Sequence, residues 1–412
     1  MTRADPQRVA GFLGELAKIG TDPAGGFTRL AFSESEREAH ALFRSTVEGY
    51  GLRTCTDAVG NSFGFLDGTE DLPALVTGSH LDTVYQGGNY DGAVGVAAAV
   101  EIARALAESG GLRRPVWVVA FAGEEGARFG APCIGSRLLT GSFSSETLKT
   151  LTDRDGRTAY DCAVEVGLQP DQAAAARWSA DDLACFIEVH IEQGRVLEAR
   201  QRELGVVHSI GGSTRIALVF SGRADHSGAT PMWLRRDALA AAADFVLAAE
   251  SRAKKHATTV ATVGRLEVSP NSLTTVPGEV SCTLDVRDID SDRQRDLTEE
   301  LLDDAVRIGH SRAVDVSARR LSDQSPVVLH GTMHSLLSSS ATALDLDFIS
   351  MPSGASHDAA HIVNMTPTGM VFVPCREGIS HSPEEHAESE PIAKAVDVVV
   401  HAFRQIDAGH FV

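Results

Sequence analysis

Four short apolar runs in this chain are each followed by a histidine or an acidic residue, and this recurrence is the strongest constraint on its fold. The runs are PALVT before His80, PVWVVAF before the segment GEEG, ACFIEV before His190 and GMVFVP before the segment that ends at His381. Such runs are typical of parallel strands that are buried on both faces. Since ligands of parallel sheets bind beyond the carboxyl ends of the strands, these polar residues are candidates for one shared site.

Segments with helical periodicity separate the runs, and this alternation predicts a mainly parallel α/β sheet. The clearest helix follows the first run, over residues 94–106. Two amphipathic helices, 5–19 and 34–50, are expected near the beginning of the chain, followed by two short strands, 53–57 and 62–66.

The pattern changes after residue 210. The expected elements there are a strand at 215–221, a helix at 234–255, strands at 258–268 and 279–288, a helix at 291–310 and a strand at 313–321. This β-α-β-β-α-β order resembles a ferredoxin-like sandwich. The predicted fold is therefore an α/β catalytic domain with a mainly parallel sheet, residues 1–210 and 326–412, and an inserted ferredoxin-like α+β domain, residues 211–325. A sheet edge or an apolar helix face of the inserted domain offers a surface for dimerisation.

Composition narrows the class of protein and its partners. With 412 residues, 43% hydrophobic and 23% charged, the chain has the composition of a globular protein with room for two domains. A formal net charge of −19 opposes binding to nucleic acid, and no apolar run approaches the roughly 20 residues that cross a membrane. The first residues are amphipathic and partly acidic, unlike a signal peptide. Six scattered cysteines without a CxxC pair argue against disulfides and a zinc ribbon, so a cytoplasmic location is expected.

Five residues near the ends of the runs have the chemistry of metal ligands: His80, Asp91, Glu125, His190 and His381. Imidazole and carboxylate groups commonly bind zinc or manganese. Five such ligands serve two ions when one carboxylate bridges, and ion pairs about 3.5–4 Å apart are common in hydrolases. Asp91 is the candidate bridge, because it lies among Gly87, Gly88, Gly92 and Gly95, and glycine lets the backbone fold tightly around an ion.

Further acidic residues have candidate roles beside these ligands. Asp82 follows His80 by two residues, so its carboxylate is placed to bind the second nitrogen of that imidazole and to fix its tautomer. Glu124 and Glu125 are adjacent and point in different directions. One of the two carboxylates can therefore bind metal while the other acts as general base toward water.

The chain resembles the metallopeptidase superfamily of aminoacylase and carboxypeptidase G in six ordered motifs, GSHLDTV, YDGAVGV, FAGEEGARF, EVHIEQG, ADHSGATPM and GISHSPEE. Within that superfamily it is most similar to the ureidohydrolase branch, which comprises N-carbamoyl-L-amino-acid hydrolase, allantoate amidohydrolase and β-ureidopropionase. HIEQG and GISHSP favour this branch, because the peptidase and deacylase relatives usually have other sequences there. The resemblance extends from about residue 55 to about residue 390.

The resemblance implies a role for each residue of the predicted metal site. It implies one metal at His80, Asp91 and His190, a second metal at Asp91, Glu125 and His381, and Glu124 as the catalytic base. It also implies two divalent ions, a two-domain layout and a homodimer built through the inserted domain. The ions can be zinc, manganese, cobalt or nickel, because ligands of this kind accept all four.

The resemblance also assigns substrate contacts in the inserted domain. Arg287, in CTLDVRD, matches the family arginine that binds the substrate carboxylate, a task that suits a guanidinium fork. Asn271, in SPNSLTTVPG, matches the asparagine beside that arginine. His226, in ADHSGATPM, matches a catalytic histidine that reaches the active site of the neighbouring subunit and polarises the scissile carbonyl. From the residues alone, an ion pair of Arg287 with Asp285 or Asp288 is an alternative. Asn271 can also be a turn residue, and His226 a structural cap.

Positions nearer the metal ligands complete the assignments. Gln193, in HIEQG, fits a neutral hydrogen-bonding group beside the metals. Ser356, in SGASHDA, stands where the family has glycine. Ser356 and His357 are assigned to substrate binding, although the departure from glycine leaves the detailed roles of His357 and Asp358 open. Cys375 replaces a residue that is often serine, and is either an oxidation-sensitive thiol or part of the core.

The function expected from these features is metal-dependent hydrolysis of the carbamoyl C–N bond of an N-carbamoyl-L-amino acid or a related ureido acid. The products are ammonia and carbon dioxide. Allantoate and β-ureidopropionate are alternative substrates, since both carry a ureido group and a carboxylate. An aminoacylase or dipeptidase, and an inactive metal-binding dimer scaffold, are further alternatives.

Overall fold

The apolar runs form neighbouring strands and the segments between them form helices in the computed structural model, which describes residues 3–410. Up to residue 210 the helices are α1 (Pro6–Leu16), α2 (Glu34–Glu48), α3 (Ala93–Glu108), α4 (Ile134–Leu139), α5 (Ser145–Thr150), α6 (Ala159–Glu165) and α7 (Val196–Ala199). The strands of this part are β1 (Arg53–Thr56), β2 (Ser62–Leu66), β3 (Ala74–His80), β4 (Val116–Phe121), β5 (Leu183–Ile191) and β6 (Leu204–Ile210).

The rest of the described chain contains the inserted elements and a return to helix and strand. The inserted elements are β7 (Gly212–Ser221), β8 (Asp225–His226), α8 (Ala238–Ala253), β9 (Val260–Ser269), β10 (Thr275–Val276), β11 (Glu279–Asp288), α9 (Ser291–Ser311), β12 (Asp315–Gln324) and β13 (Val327–Val328). The last elements are α10 (Gly331–Ala343), β14 (Phe348–Ser353), α11 (Ala359–Ile362), β15 (Thr368–Val373) and α12 (Ser389–Asp407).

The chain divides into two units. The sheet unit comprises the described residues up to His208 and those from Leu329 onward, and the inserted unit is Ser209–Val328. Among the helices that the structure describes, none is both long and apolar enough to cross a membrane.

The sheet unit is built on strands in the order β1-β2-β4-β3-β5-β15-β6, and β14 also pairs with β6. The four strands β4, β3, β5 and β15 are parallel to one another, whereas β2 and β6 run antiparallel beside them. The predicted α/β class with a mainly parallel central sheet is therefore confirmed. Helix α3 packs against β3 and β5 and is buried along most of its length, because alanine and valine fill most of its positions. Its buried charges pair internally, with Arg104 donating to Glu101 over 2.6 Å.

Side-chain caps set helix ends that periodicity alone located wrongly. Helix α8 begins at Ala238 rather than at residue 234, because Asp237 accepts hydrogen bonds from the N–H groups of Leu239 and Ala240. The residues before this cap, Met232–Leu234, form a separate 3-10 turn. The first predicted helix, 5–19, begins where it was expected, with Asp5 as its N-cap, but it ends earlier, at Leu16.

The inserted unit contains a four-stranded antiparallel sheet in the order β12-β7-β11-β9. This order, together with the β-α-β-β-α-β connectivity, is that of a ferredoxin-like sandwich. Alternate residues of β11, from Val280 to Val286, are buried with the apolar faces of α8 and α9. The opposite face of the sheet is polar and partly exposed, and in it Asp285 accepts a hydrogen bond from Arg287.

Candidate metal centre and active site

The polar residues that follow the apolar runs come together at one edge of the sheet unit. His80 is the last residue of β3, and His190 is the penultimate residue of β5. Glu125 lies just beyond the end of β4, and His381 lies in the segment that follows β15. Since β4, β3, β5 and β15 are adjacent and parallel, their carboxyl ends share this edge.

Asp91, in the loop before α3, lies at the centre of the cluster. Its Oδ1 is 3.6 Å from His80 Nε2 and 3.3 Å from His190 Nε2. Its Oδ2 is 3.4 Å from His381 Nε2, which is also 3.2 Å from Glu125 Oε2. The two oxygens of one carboxylate therefore face two donor sets. The first donor set is His80, Asp91 and His190, and the second is Asp91, Glu125 and His381.

Both donor sets have dimensions that suit a metal ion. In each set the donor atoms lie within 4.8 Å of one another. Ligand atoms about 2.0–2.2 Å from a tetrahedral zinc ion are about 3.3–3.6 Å apart, and the measured separations of 3.2 to 3.6 Å are close to this range. A third group, Glu188 with His190 and His357, is less suitable. The Glu188 carboxylate already accepts hydrogen bonds from Ser79 Oγ and the Ala359 N–H.

The electrostatics of the cluster favour cations. Hydrogen bonds with Asp91 and Glu125 raise the pKa of His381 to about 11. Burial, reinforced by the charge of Asp91, raises the pKa of the Glu125 carboxyl, and burial raises the pKa of Glu124 well above its ordinary value. Buried carboxylates are stable only with compensating positive charge or hydrogen bonds. The residues present therefore fit divalent ions in both geometry and charge.

Gly92 explains why the loop after Asp91 needs glycine. The residue has φ +64°, and a Cβ there would lie 2.4 Å from Cε1 of His80. Any side chain would displace the imidazole from the first donor set, so the tight packing of this loop requires a glycine.

Asp82 links the first donor set to the glutamate pair. Its Oδ1 lies 3.3 Å from His80 Nδ1, where the sequence placed it. The same carboxylate accepts hydrogen bonds from the backbone N–H groups of Glu124 at 2.8 Å and Glu125 at 3.1 Å. Asp82 therefore orients both an imidazole and the turn that carries the two glutamates. The second of these contacts was not evident from the sequence.

Two buried glutamates outside the predicted set also hold this region. Glu36, in α2, accepts a hydrogen bond of 3.0 Å from the N–H of Gly123, next to the glutamate pair. An acidic residue on the buried face of an amphipathic helix was the available signal for it. The second, Glu385, lies within GISHSPEE, and that motif was its only signal.

Glu385 joins the loops that carry Asp91 and His381. Its Oε1 accepts the N–H groups of Tyr90 and Asp91, both at 2.8 Å. Its Oε2 accepts Ser380 Oγ at 3.0 Å and the His381 N–H at 3.2 Å. Burial, with the nearby charge of Asp91, raises the pKa of Glu385 to about 7. One carboxylate therefore positions two members of the second donor set.

We expect Glu385→Gln to weaken metal binding by about tenfold to a hundredfold, the usual effect of removing an orienting partner. Glutamine replaces one acceptor oxygen by an NH₂ group, which repels the donors of either the Asp91 or the His381 loop. Chelator competition measures the affinity. Glu384→Gln, which changes the exposed neighbouring residue, is the matched control and should bind metal as the unchanged chain does. Equal affinity in both variants would contradict the role of Glu385.

Gln193 lies directly beside the shared carboxylate. Its Nε2 donates a hydrogen bond of 2.6 Å to Asp91 Oδ2. Its Oε1 is buried and has no hydrogen-bond partner among the described residues. A buried acceptor without a donor costs about 1–3 kcal/mol, so a ligand that supplies a donor gains from this position.

The structure also places Ser356 and His357 near the donor sets. The His357 ring packs against His190 with centroids 4.5 Å apart, and its Nε2 lies 2.7 Å from Ser353 Oγ. Its Nδ1 is buried without a partner among the described residues. Ser356 is half-buried, with its hydroxyl 3.5 Å from the thiol of Cys133.

His226 lies on the surface of the inserted unit in the short two-stranded antiparallel sheet of β8 and β10, opposite Thr275. Its Nδ1 accepts hydrogen bonds from the N–H groups of Gly228 and Ala229, both at 3.1 Å. A neutral imidazole that accepts at Nδ1 carries its proton on Nε2. His226 therefore caps a turn and, at the same time, presents Nε2–H as an exposed donor.

The predicted neighbours Arg287 and Asn271 lie at opposite ends of β11, and the expectation that they are adjacent is wrong. Arg287 pairs with Ser213, close to where the chain enters the inserted unit. Asn271 lies in the loop between β9 and β10, at the end where Glu279 begins β11. The positions 279 and 287 are eight steps apart, or about 27 Å along an antiparallel strand. The motifs identify the two residues as candidates, but they do not show how far apart the residues lie along the sheet.

The strand order and the donor sets fit one class of protein, namely α/β metal-dependent hydrolases, with the candidate ligands at the ends of parallel strands. The chain belongs to the peptidase family M20/M25/M40, whose model matches residues 76–405. The family resemblance seen in the six motifs is thus confirmed.

Named relatives match nearly the whole chain. An N-carbamoyl-L-amino acid amidohydrolase of Geobacillus stearothermophilus is 37% identical over 397 residues, which are 96% of this chain and 97% of the relative. An allantoate amidohydrolase of Escherichia coli (strain K12) is 35% identical over 385 residues, 92% of this chain and 93% of the relative. The crystal structure of a hydantoinase/carbamoylase family amidase from Burkholderia multivorans superposes with a TM-score of 0.91 at 33% identity, covering 97% of each chain.

Proposed function

We propose that the chain hydrolyses the carbamoyl C–N bond of an N-carbamoyl-L-amino acid, with two divalent ions bound in the two donor sets. The observation that carries the proposal is the Asp91 carboxylate, whose oxygens face different donor sets at 3.3 to 3.6 Å. A shared carboxylate of this kind is the usual bridge in two-metal hydrolases. The first named relative, an N-carbamoyl-L-amino acid amidohydrolase, supports this choice of substrate over allantoate and β-ureidopropionate.

Glu124 is the proposed general base. When bound, the ions supply Lewis acidity toward water and the carbamoyl oxygen. Glu124 Oε2, 3.8 Å from His80 Nε2, takes a proton from the attacking water as its oxygen bonds to the carbamoyl carbon. Glu124 then gives that proton to the leaving nitrogen as the C–N bond breaks and ammonia departs. The carbamate that remains loses carbon dioxide and yields the amino acid.

Gln193 is the residue that we propose recognises the ureido group. A carbamoyl NH₂ and an acetyl CH₃ have similar size, so only a hydrogen-bond acceptor distinguishes them strongly. Gln193 Oε1, which has no partner within the described part of the chain, lies beside Asp91 and can accept from that NH₂. An ordinary acetyl amide leaves this acceptor unpaired, which disfavours an aminoacylase activity.

The separation of His226 from Arg287 supports a homodimer. Arg287 binds the substrate carboxylate in this proposal, and His226 Nε2–H polarises the carbamoyl oxygen. A small ureido acid cannot bridge the two ends of β11, which are about 27 Å apart. His226, with Asn271 at the same end, therefore acts on a substrate held by a second copy of the chain. The inserted unit is accordingly proposed as the dimerisation and lid domain, and the cytoplasmic location stays a prediction.

Ammonia release from three ureides tests the proposed function. Metal-loaded protein is given N-carbamoyl-L-methionine, allantoate and β-ureidopropionate, and N-acetyl-L-methionine is followed by release of methionine. Fastest turnover of the N-carbamoyl amino acid is expected. Activity confined to the acetyl compound would move the chain to the aminoacylase reaction, and inactivity on all four with both ions bound would favour a scaffold.

We expect Gln193→Leu to reduce discrimination between carbamoyl and acetyl substrates. Leucine removes the acceptor and keeps a similar volume, so turnover of N-carbamoyl-L-methionine should fall while that of N-acetyl-L-methionine stays or rises. The ratio of the two kcat/KM values should change by about tenfold or more, the effect of one lost hydrogen bond. Metal content is measured beside it, because Gln193 Nε2 also contacts Asp91. An unchanged ratio of the two kcat/KM values would show that Gln193 does not recognise the ureido group.

A further inference from the structure

A thiol outside the predicted set holds the side chain of Glu124. Cys133 Sγ donates a hydrogen bond of 3.1 Å to Glu124 Oε1, and Ser356 Oγ lies 3.5 Å from the same sulfur. The Cys133 N–H also donates to the Glu124 carbonyl over 2.7 Å. Cys133 is fully buried, and Glu124 is 5% exposed. Both the backbone and the side chain of Cys133 therefore contact Glu124.

The backbone of Cys133 is unusual for a residue with a side chain. It has φ +57° and lies immediately before α4, in the left-handed region that favours glycine. Residues kept in this region cluster at functional sites, where surrounding contacts over-determine the conformation. At Cys133 those contacts include the two hydrogen bonds to Glu124.

The direction of the hydrogen bonds follows from the chemistry of the groups. Burial raises the pKa of the Cys133 thiol well above its ordinary value, and the charges of Glu124 and Asp358 act in the same direction. The sulfur therefore keeps its one proton, which is directed to Glu124 Oε1, and it accepts from the Ser356 hydroxyl. The other oxygen, Oε2, faces His80 Nε2 of the first donor set at 3.8 Å.

We propose that Cys133 is a positioning residue for Glu124. Together with Ser356 it fixes Oε1, so that Oε2 is the oxygen that exchanges the proton with water and the leaving nitrogen. This inference rests on the proposed function only in taking Glu124 as the base. It gives a task to Ser356 and to a cysteine that no motif singled out.

The test compares three variants of the metal-loaded full-length chain on its best substrate. Cys133→Ala should lower kcat by about tenfold to a hundredfold with unchanged KM and metal content, since a small displacement of a catalytic group has effects of this size. Cys133→Ser keeps a donor and should recover part of the loss. Cys162→Ala is the matched control, because the Cys162 thiol is also buried and lies 3.9 Å from a carboxylate oxygen of Asp153. This variant should leave kcat unchanged.

Two outcomes would overturn the inference: a kcat for Cys133→Ala equal to that of the unchanged chain, or no recovery in Cys133→Ser. A double-mutant cycle on the free energy of unfolding, with Cys133→Ala and Glu124→Ala, gives a readout that needs no substrate. The loss from Cys133→Ala should be smaller once Glu124 is absent. Additive losses would contradict the contact even if the proposed function failed on every substrate.

Discussion

Replacing Glu124 by glutamine is expected to lower kcat by about 10²–10⁴-fold while both metal ions stay bound, because general-base catalysis contributes a factor of this size. Glutamine has nearly the shape of glutamate and still accepts a hydrogen bond from Cys133 at one oxygen, so the fold should be unchanged. It cannot take a proton from water. KM should change little, since Glu124 acts on the proton of the attacking water rather than on the bound ureido acid.

Glu125→Gln is the informative comparison for this experiment. Glu125 Oε2 lies 3.2 Å from His381 Nε2 in the second donor set, whereas Glu124 belongs to neither set. Both substitutions replace one carboxylate oxygen by an NH₂ group, and they do so at adjacent residues. Only Glu125→Gln should reduce the metal content. Metal analysis and steady-state kinetics on both variants separate the roles. Near-normal turnover by a metal-replete Glu124→Gln protein would exclude Glu124 as the base.

The gathering of the candidate ligands at one edge of the sheet could be predicted because the signal is local. A buried parallel strand is recognisable from its apolar residues, and the first polar residues after it lie at the ligand-binding edge. His80 and His190 illustrate this, since each lies within two residues of the end of its strand. The fold class followed from the same alternation of strands and helices.

The residues that hold these candidate ligands in place could not be predicted, because their contacts join distant parts of the chain. The hydrogen bond from Gly123 to Glu36 spans 87 residues, and that from Asp91 to Glu385 spans 294. The local sequence marks Glu36 as an acidic residue on a buried helix face and Glu385 as part of a motif, but it does not show which distant N–H group either carboxylate accepts.

Short helices, and the positions of residues relative to one another along a sheet, could not be predicted from the sequence either. Helices α4, α5 and α6 have only six or seven residues, too few to give a periodic pattern. The resemblance implied that Asn271 lies beside Arg287. A sequence motif does not show how far apart two residues are along a sheet. Only the pairing register shows that the two lie at opposite ends of that strand.

Asp91→Asn is expected to remove activity almost completely, by about 10³-fold or more, and to reduce the bound metal from two ions to one or none. Asparagine keeps the size of aspartate but offers one carbonyl oxygen, and its NH₂ group has no lone pair for a cation. One of the two donor sets must therefore lose its shared ligand. Metal analysis after dialysis measures the stoichiometry. The rise in melting temperature on adding metal gives a second readout, because binding to the folded state stabilises it.

Asp22→Asn provides the control. Asp22 also orders a loop of the sheet unit, because its carboxylate accepts a hydrogen bond of 2.8 Å from the Ala24 N–H. It belongs to neither donor set. It should keep two ions and full turnover. If Asp91→Asn also kept two ions and near-normal turnover, the shared-carboxylate arrangement would be wrong. If it kept one ion, the donor set that retained it would be the one facing the remaining oxygen. A second substitution, His190→Ala or His381→Ala, would then identify that set, because only removal of a true ligand abolishes the residual binding.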